Sequence, residues 1–507
     1  MHYLKKYWKR VSEKEQTPEA IGFFAALDAM QSTSPEAVEA ILQEYFDQRN
    51  SLKMIASENY ASLRVQLSMG GNFLTDKYSE GSVGKRFYAG CENVDAIERK
   101  AVDLAKQLYG AEHAYVQPHS GADANLIAFL AILTVRVQEP HLQYKGKKLN
   151  ELSSEEFADL RSIMLEQKML GMSLSSGGHL THGYRHNISS KLFLSSFYEV
   201  DPKTGWIDYD TLEEQVVREK PLIFVVGYSS YTRKIDFSRM RQIADRVGAT
   251  LLVDMAHFSG LVAGKVFTGK YNPVPFADIV TSTTHKTLRG PRGGMILCKK
   301  EYQAAVDKGC PLVMGGPLPQ NIAAKAVAFQ EALSPSFAVY SQNIVDNARA
   351  LARSFTEKGA SLLTGGTDNH MVLVDTHTSY GLTGKAAEHA LSLINIRVNR
   401  NAIPEDQNGP WYTSGIRLGT PALTTRGMGK EQMEQIVGIV DTLLRATTPA
   451  HIEGRPSKGE VRIEASILRY CREEVNALVG RYPLYPELHL NEEALSKNAK
   501  LCYKKGK

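Results

Sequence analysis

The 507-residue chain has only five cysteines (Cys91, Cys298, Cys310, Cys471 and Cys502) and no C-x-x-C pair. That leaves neither a zinc site nor a disulfide framework to build on, so no metal is expected and a reducing cytoplasm fits best. Long hydrophobic runs are also missing. The longest, "NLIAFLAILTV" from Asn125, is too short to span a bilayer and reads as a buried core helix, so no membrane partner is expected. Charge of one sign is scarce: the net charge of +5 is small for this length. The basic residues are scattered except at the two ends, without the aromatic interleaving of a stacking groove, so no nucleic-acid partner is expected and an RNA-binding scaffold role fares poorly. G-x-G-x-x-G is absent, which removes the dinucleotide reading. The basic N-terminus "MHYLKKYWKR" runs straight into the acids of "VSEKEQTPEA" with no signal-like apolar segment. It is expected to be a solvated, partly disordered arm.

What is present is the composition of a globular protein, 43% hydrophobic and 23% charged, long enough for two or three domains. In "SPEAVEAILQEYFDQRN", Ser34 reads as an N-cap and Pro35 as the first helical position, with Val38, Ile41, Leu42, Tyr45 and Phe46 on one face. From about residue 55, strand-like runs alternate with helical patterns, including "PLIFVVGYSS", "TLLVDMAHFSG", "ADIVTSTTHK" and "GGMILCKK". This predicts an α/β domain whose central, mostly parallel sheet is flanked by helices. "LSPSF" breaks the pattern near 335, and a smaller C-terminal α/β unit follows. The predicted division is a helical arm over 1–54, a large domain over 55–335 and a small domain with a tail over 336–507. Residues 136–168 read as an insertion with a capping box at Ser153 and Glu156.

Ligands of open α/β sheets sit at the carboxyl ends of strands. Three such ends carry chemistry: Asp254 and His257 in "LLVDMAH", His285 and Lys286 in "DIVTSTTHK", and His119, Ser120 and Gly121 in "YVQPHSG" ahead of a helix. The last is an anion site, because free backbone N–H groups and the helix dipole both favour a phosphate. A carboxylate, a lysine and a phosphate cradle on one sheet edge are what pyridoxal phosphate requires.

The stretches "IASENYAS", "DKYSEG", "GKRFYAGCENVDAIE", "VQPHSGADAN", "GGHLTHG", "VDMAHFSGLVA", "TTHKTLRGPRGG", "GGTDNHMVLVD" and "TSGIRLGTPALTTRG" resemble, in order, the motifs of the serine hydroxymethyltransferases. The resemblance implies a fold-type I pyridoxal phosphate transferase that converts serine and tetrahydrofolate to glycine and methylenetetrahydrofolate, with self-association as a homodimer or tetramer. A folate-independent pyridoxal phosphate aldolase or an amino-acid racemase on the same scaffold is the alternative.

By that resemblance Lys286 holds the cofactor aldehyde, Asp254 the pyridine nitrogen, and His179 stacks on the ring. His257 and Ser229 lie near the ring hydroxyl, and Thr283 and His285 shape the lysine's surroundings. Arg417 clamps the substrate carboxylate with help from Ser57, and Glu80 handles protons. Tyr78, Glu80, Tyr88 and Gly316 come from a neighbouring subunit, and Tyr78, Ser120 and Gly121 complete the phosphate cradle. Leu174, Gly178, His179, Leu180 and Asn401 resemble the folate contacts. The chain departs from the family pattern at Ala122 and Asp123 in the phosphate turn, at Phe87, and at Arg289.

Overall fold

The computed structural model describes residues 2–70 and 72–490, so Cys502 and the end of the C-terminal tail lie outside the described residues. Helices α1 (Tyr3–Arg10), α2 (Pro18–Gln31) and α3 (Pro35–Arg49) open the chain. The expected solvated arm is instead packed: Tyr3 and Tyr7, one turn apart on α1, are buried, and Tyr7 stacks on Phe24 with centroids 4.9 Å apart. Pro35 begins α3 as the sequence predicts, but Ser34 makes no side-chain cap bond. Val38, Leu42, Tyr45 and Phe46 are buried, whereas Ile41, at the margin of that stripe, is 40% exposed.

The large sheet contains β1 (His113–Tyr115), β2 (Lys168–Met172), β3 (Leu194–Tyr198), β4 (Ile223–Gly227), β5 (Thr250–Asp254), β6 (Ile279–Thr283) and β7 (Gly294–Cys298). Their spatial order is β1-β7-β6-β5-β4-β2-β3. Neighbours from β6 to β3 pair in parallel, and only β7 runs antiparallel, to both β6 and β1. The expected mostly parallel sheet flanked by helices is therefore what the chain forms. Both faces are covered: Phe224, Val226, Leu251 and Val253 point into one cluster, while Ile223, Val225 and Leu252 point into the other. Such strands read as continuous apolar runs, which is why they were legible.

Helix α4 (Gly121–Leu133) fills the second cluster with Ile127, Phe129 and Ile132. It continues through a π-turn at Thr134–Gln138 into Glu139–Lys145. The resulting Gly121–Lys145 run, at 25 residues, is longer than the apolar stretch suggests and is long and apolar enough to cross a membrane by length and composition. Its apolar side is nevertheless packed against the sheet, and its Asn125 is committed to a hydrogen bond with Asp254. The capping box at Ser153 and Glu156 is formed and opens the helix Ser154–Leu165.

Helix α5 (Pro319–Ala332) precedes α6 (Pro335–Glu357), which joins two cores. Phe337, Tyr340 and Ile344 pack with the large sheet; Ala350, Leu351 and Phe355 pack with the C-terminal elements. There β8 (Met371–Asp375), β9 (Asn399–Asn401) and β10 (Gly415–Gly419) form an antiparallel sheet in the order β8-β10-β9. Leu52 and Met54 also enter this C-terminal core, because Leu52 and Lys53 pair in parallel with Ile396 and Arg397.

Candidate functional site

Asp254 is the last residue of β5 and lies beside Gly227, the last of β4. Gly227 has φ 131°, and a Cβ there would stand 2.1 Å from the Asp254 carbonyl oxygen, so only glycine permits this approach. The Asp254 carboxylate accepts from Asn125 Nδ2 (2.9 Å), pairs with His182 Nε2 (3.2 Å) and accepts from the Ala256 N–H (3.0 Å). Asn125 is itself held by Thr281 Oγ1 (2.5 Å) and donates to Thr181 Oγ1 (2.7 Å). Burial pushes the carboxyl pKa up, but the His182 bond and the positive field of the nearby Lys286 outweigh it and hold the group well below the usual carboxylate range.

Lys286 stands three residues beyond the end of β6, in the loop rather than on the strand, and is 9% exposed. Its carbonyl accepts from Asn59 Nδ2 (2.9 Å) and the Arg289 N–H (3.0 Å). Among the described residues its ammonium makes no hydrogen bond. Burial brings its pKa down to about 8 against the pull of Asp254, with Arg417 and Arg292 adding to the fall. Thr283, which ends β6, donates to the Ala256 carbonyl (3.3 Å), and its methyl lies where a Cβ on Gly121 would come within 2.7 Å. The phosphate turn therefore lies against the strand that leads to the lysine. Ser120 caps α4 through the Asp123 N–H (3.1 Å), and its hydroxyl also meets the Asp123 carboxylate at 2.9 Å.

Several imidazoles surround this centre and are held neutral. His179 is lowered to about 4, first by burial and then by its charged neighbours, and its Nδ1 lies 2.8 Å from Thr181 Oγ1. His257 is fully buried and also well below its ordinary value; it stacks on His370, with Nδ1 and Nε2 3.2 Å apart. Burial brings His370 down to about 3. His285 falls to about 3 for the same reason and pairs with Arg292 Nη1 at 3.2 Å. With Ser57, Asn59 and Arg292, it lines a cavity of 360 Å³.

Arg417, on the central strand β10, brings the small sheet to this centre. Nη1 donates to the Ser229 carbonyl and, at 3.3 Å, to Ser229 Oγ; Nε and Nη2 donate to Asn399 Oδ1 at 3.2 and 3.1 Å. Its partners are all neutral, and burial alone lowers it to about 10. Ser229 thus spends its carbonyl and hydroxyl on the guanidinium, while its N–H donates to the Gly177 carbonyl (2.7 Å).

Tyr78, Glu80, Tyr88 and Gly316 gather elsewhere. Tyr78 Oη accepts from the Gly316 N–H (3.1 Å) and lies 3.4 Å from Glu80 Oε2, and its ring meets Tyr88 edge-on at 4.7 Å. Tyr78 and Tyr88 are each 47% exposed. Among the described residues no hydrogen bond, ion pair or ring contact joins this group to Lys286, Asp254 or Arg417. Leu174 lines a cavity of 690 Å³ together with Tyr184, Phe197, Pro202, Ala402 and Pro404. Gly178 donates to the Ser173 carbonyl (2.8 Å), Asn401 donates to the Ala402 carbonyl (2.6 Å), and Leu180 is half-exposed.

Asn125, His182, His370, Asn59 and Asn399 are the site residues that sequence reasoning missed. His182 and His370 lie inside quoted motifs, "GGHLTHG" and "NHMVLVD"; Asn125 is hidden as the first residue of an apolar run. Arg289 now has a role. At φ 64° its guanidinium lies 4.3 Å over the Tyr340 ring, and Tyr340 accepts from the same Asn59 amide that holds the Lys286 carbonyl.

The family model described as "Serine hydroxymethyltransferase" matches residues 30–145 and 153–440, leaving only 146–152 of the expected insertion unmatched between its two segments. Among curated proteins the chain is 52% identical over 491 residues to a serine hydroxymethyltransferase of Chlamydia muridarum, covering 96% of this chain and 98% of that protein. It is 52% identical over 474 residues to that of Salinispora tropica (93% and 99%) and 53% identical over 467 residues to that of Mycolicibacterium smegmatis (92% and 94%).

Proposed function

This chain belongs to the serine hydroxymethyltransferase family, and from that premise we propose that the cluster around Lys286 is its cofactor and amino-acid site. The enzyme reversibly converts serine and tetrahydrofolate to glycine and 5,10-methylenetetrahydrofolate; the aldolase and racemase alternatives are not favoured. The observation that carries the site assignment is the buried, unpartnered Lys286 ammonium among neutral imidazoles, with an anionic Asp254 on one side and an acid-free Arg417 on the other.

The residues fit pyridoxal phosphate. Lys286 would hold the aldehyde, Asp254 the protonated pyridine nitrogen, and the N-terminal end of α4 at Ser120 and Gly121 the phosphate. A buried His119 Nε2 without a partner in the same turn supports a polar occupant there. When bound, the cofactor supplies a sink for the electron pair of the amino acid's Cα–Cβ bond. Arg417, already forked between Ser229 and Asn399, orients the substrate carboxylate and with it that bond. His257, His370 and His285, held neutral, put no competing positive charge beside Arg417 and Lys286. Glu80 moves the proton at the serine hydroxyl.

Because Glu80, Tyr78, Tyr88 and Gly316 stand apart from Lys286 in one chain, the working site is assembled from two copies, as a homodimer or a tetramer. The exposed Phe73 (93%), Phe87 (74%) and Leu312 (75%) support a covered surface there. Tetrahydrofolate takes the cavity beside Leu174, and Gly178, His179, Leu180 and Asn401 contact it by the family resemblance. We keep the division at 54 and 335 as the working domain boundaries. We place the enzyme in the cytoplasm, a reading supported by four buried, unlinked thiols. Serine cleavage by the purified protein, followed with and without tetrahydrofolate, tests the reading. Glycine formation strongly dependent on folate is expected, and folate-independent cleavage at the same rate would return the aldolase alternative.

A further inference from the structure

Lys325 is one of the least accessible charged side chains in the molecule, 1% exposed on α5, and the mechanism above makes no use of it. Its ammonium spends all three donors on backbone carbonyls: Val116 (2.6 Å), Pro118 (2.9 Å) and Gly294 (2.9 Å). Those carbonyls belong to two different segments. Val116 and Pro118 lead into the turn of Ser120 and Gly121, and Gly294 ends the loop that carries Lys286. The two segments also bond directly, since the Gly294 N–H donates to the Pro118 carbonyl at 2.9 Å.

From Gly294 the connection runs on to the lysine. The Gly293 carbonyl accepts from the Thr284 N–H (3.0 Å), and Thr284 Oγ1 donates to the Pro291 carbonyl (2.6 Å). One turn before Lys325 on the same face of α5, Asn321 Nδ2 donates to the Arg292 carbonyl (2.7 Å). The glycine pair of "GPRGG" is explained by this packing. A Cβ on Gly293 would stand 2.5 Å from Lys325 Cε, and one on Gly294 would stand 2.1 Å from the Ser120 carbonyl oxygen. Burying an ammonium is costly, and a methionine, one atom shorter, would fill most of the space without a charge. What the methionine could not do is draw three carbonyls from two segments to one point.

We infer that Lys325 is a positioning residue that sets the spacing between the phosphate-binding turn and the cofactor-lysine loop, so that the cofactor's phosphate and aldehyde are gripped together. The inference rests on the cofactor reading above. It places the effect on the phosphate end, since Val116 and Pro118 lead directly into Ser120, while the Lys286 carbonyl keeps separate ties to Asn59 and Arg289.

The test compares pyridoxal phosphate with pyridoxal, which has the aldehyde and ring but no phosphate, as ligands of the full-length protein stripped of cofactor. Wild type should prefer the phosphorylated form strongly. In Lys325→Met that preference should fall about tenfold or more, through weaker binding of pyridoxal phosphate with little change for pyridoxal. Gly293→Ala, which keeps the lysine but pushes its side chain off the carbonyls, should do the same. If either folded variant keeps the wild-type preference, or loses affinity for both ligands equally, the inference is overturned. Failure of both variants to fold would overturn it too, by making Lys325 a residue of the fold alone. A wild-type protein that binds neither ligand would instead refute the cofactor reading itself.

Discussion

Replacing the residue on which turnover depends should make the cofactor-free protein more stable at neutral pH. Burial brings the Lys286 pKa from 10.5 to about 8 even though Asp254 acts to raise it. At about 1.4 kcal/mol per pH unit, holding the charged ammonium there costs the folded state about 3 kcal/mol relative to the unfolded chain. The sign follows from counting protons. Between about pH 8 and 10.5 the unfolded lysine carries a proton that the folded one has shed, so stability rises with pH across that window. Below it the whole penalty stands, and above it the penalty is gone. Lys286→Met, similar in length and uncharged, should therefore gain about 3 kcal/mol near pH 7 and almost nothing above about pH 10.5. Urea unfolding of stripped wild type and variant across that range measures the difference. The reasoning is refuted if the variant is no more stable than wild type near pH 7, or if its gain does not shrink as pH rises. Such a result would mean that Lys286 is not held against its own solvation, as a lysine kept for chemistry is. The same variant should have no turnover and no borohydride-reducible link to the cofactor.

Arg417→Lys keeps a charge but loses the fork that reaches Ser229, Asn399 and the substrate together. Loss of one charge-assisted hydrogen bond, about 1.5–3 kcal/mol, should lower kcat/KM for serine about 10- to 100-fold, chiefly through KM; an unchanged KM would remove Arg417 from the carboxylate clamp. Lys286→Ala and Glu80→Gln should each be inactive alone, yet subunits of the two, mixed and reassociated, should recover about a quarter of wild-type activity. No recovery would mean that both residues serve the same chain's site. His370 is held at about 3 against an ordinary 6.5, so the unfolded chain takes up a proton that the folded one refuses and stability falls as pH drops through that interval. His370→Gln should lose about 2 kcal/mol less than wild type between neutral pH and about pH 5, and parallel stability curves would contradict this.

Much of this protein was legible because its large sheet is buried on both faces. "PLIFVVG" and "TLLVD" are continuous apolar runs for that reason, and the first polar residues after them fall at the carboxyl ends where Asp254 stands. The lysine's place was read less well. Lys286 was expected to end the strand, but the pairing of β6 with β7 stops at Thr283 and Gly294, and the lysine rides the loop between them. The N-terminal arm was misjudged because its basic residues masked Tyr3 and Tyr7, whose burial depends on partners such as Phe24, far along the chain for Tyr3.

The sequence by itself determined the family, through ordered motifs that name the lysine, the aspartate and the arginine, and the sheet class, through the period of its apolar residues. Only the tertiary structure decided which neutral groups aim them. Asn125 orients Asp254 from 129 residues away and Asn59 holds the Lys286 carbonyl from 227 residues away. Lys325 joins two segments that no local pattern relates. Such contacts carry no periodicity and no spacing rule. They exist because the fold brings distant backbone carbonyls and carboxylates into places without water, where each must find a donor.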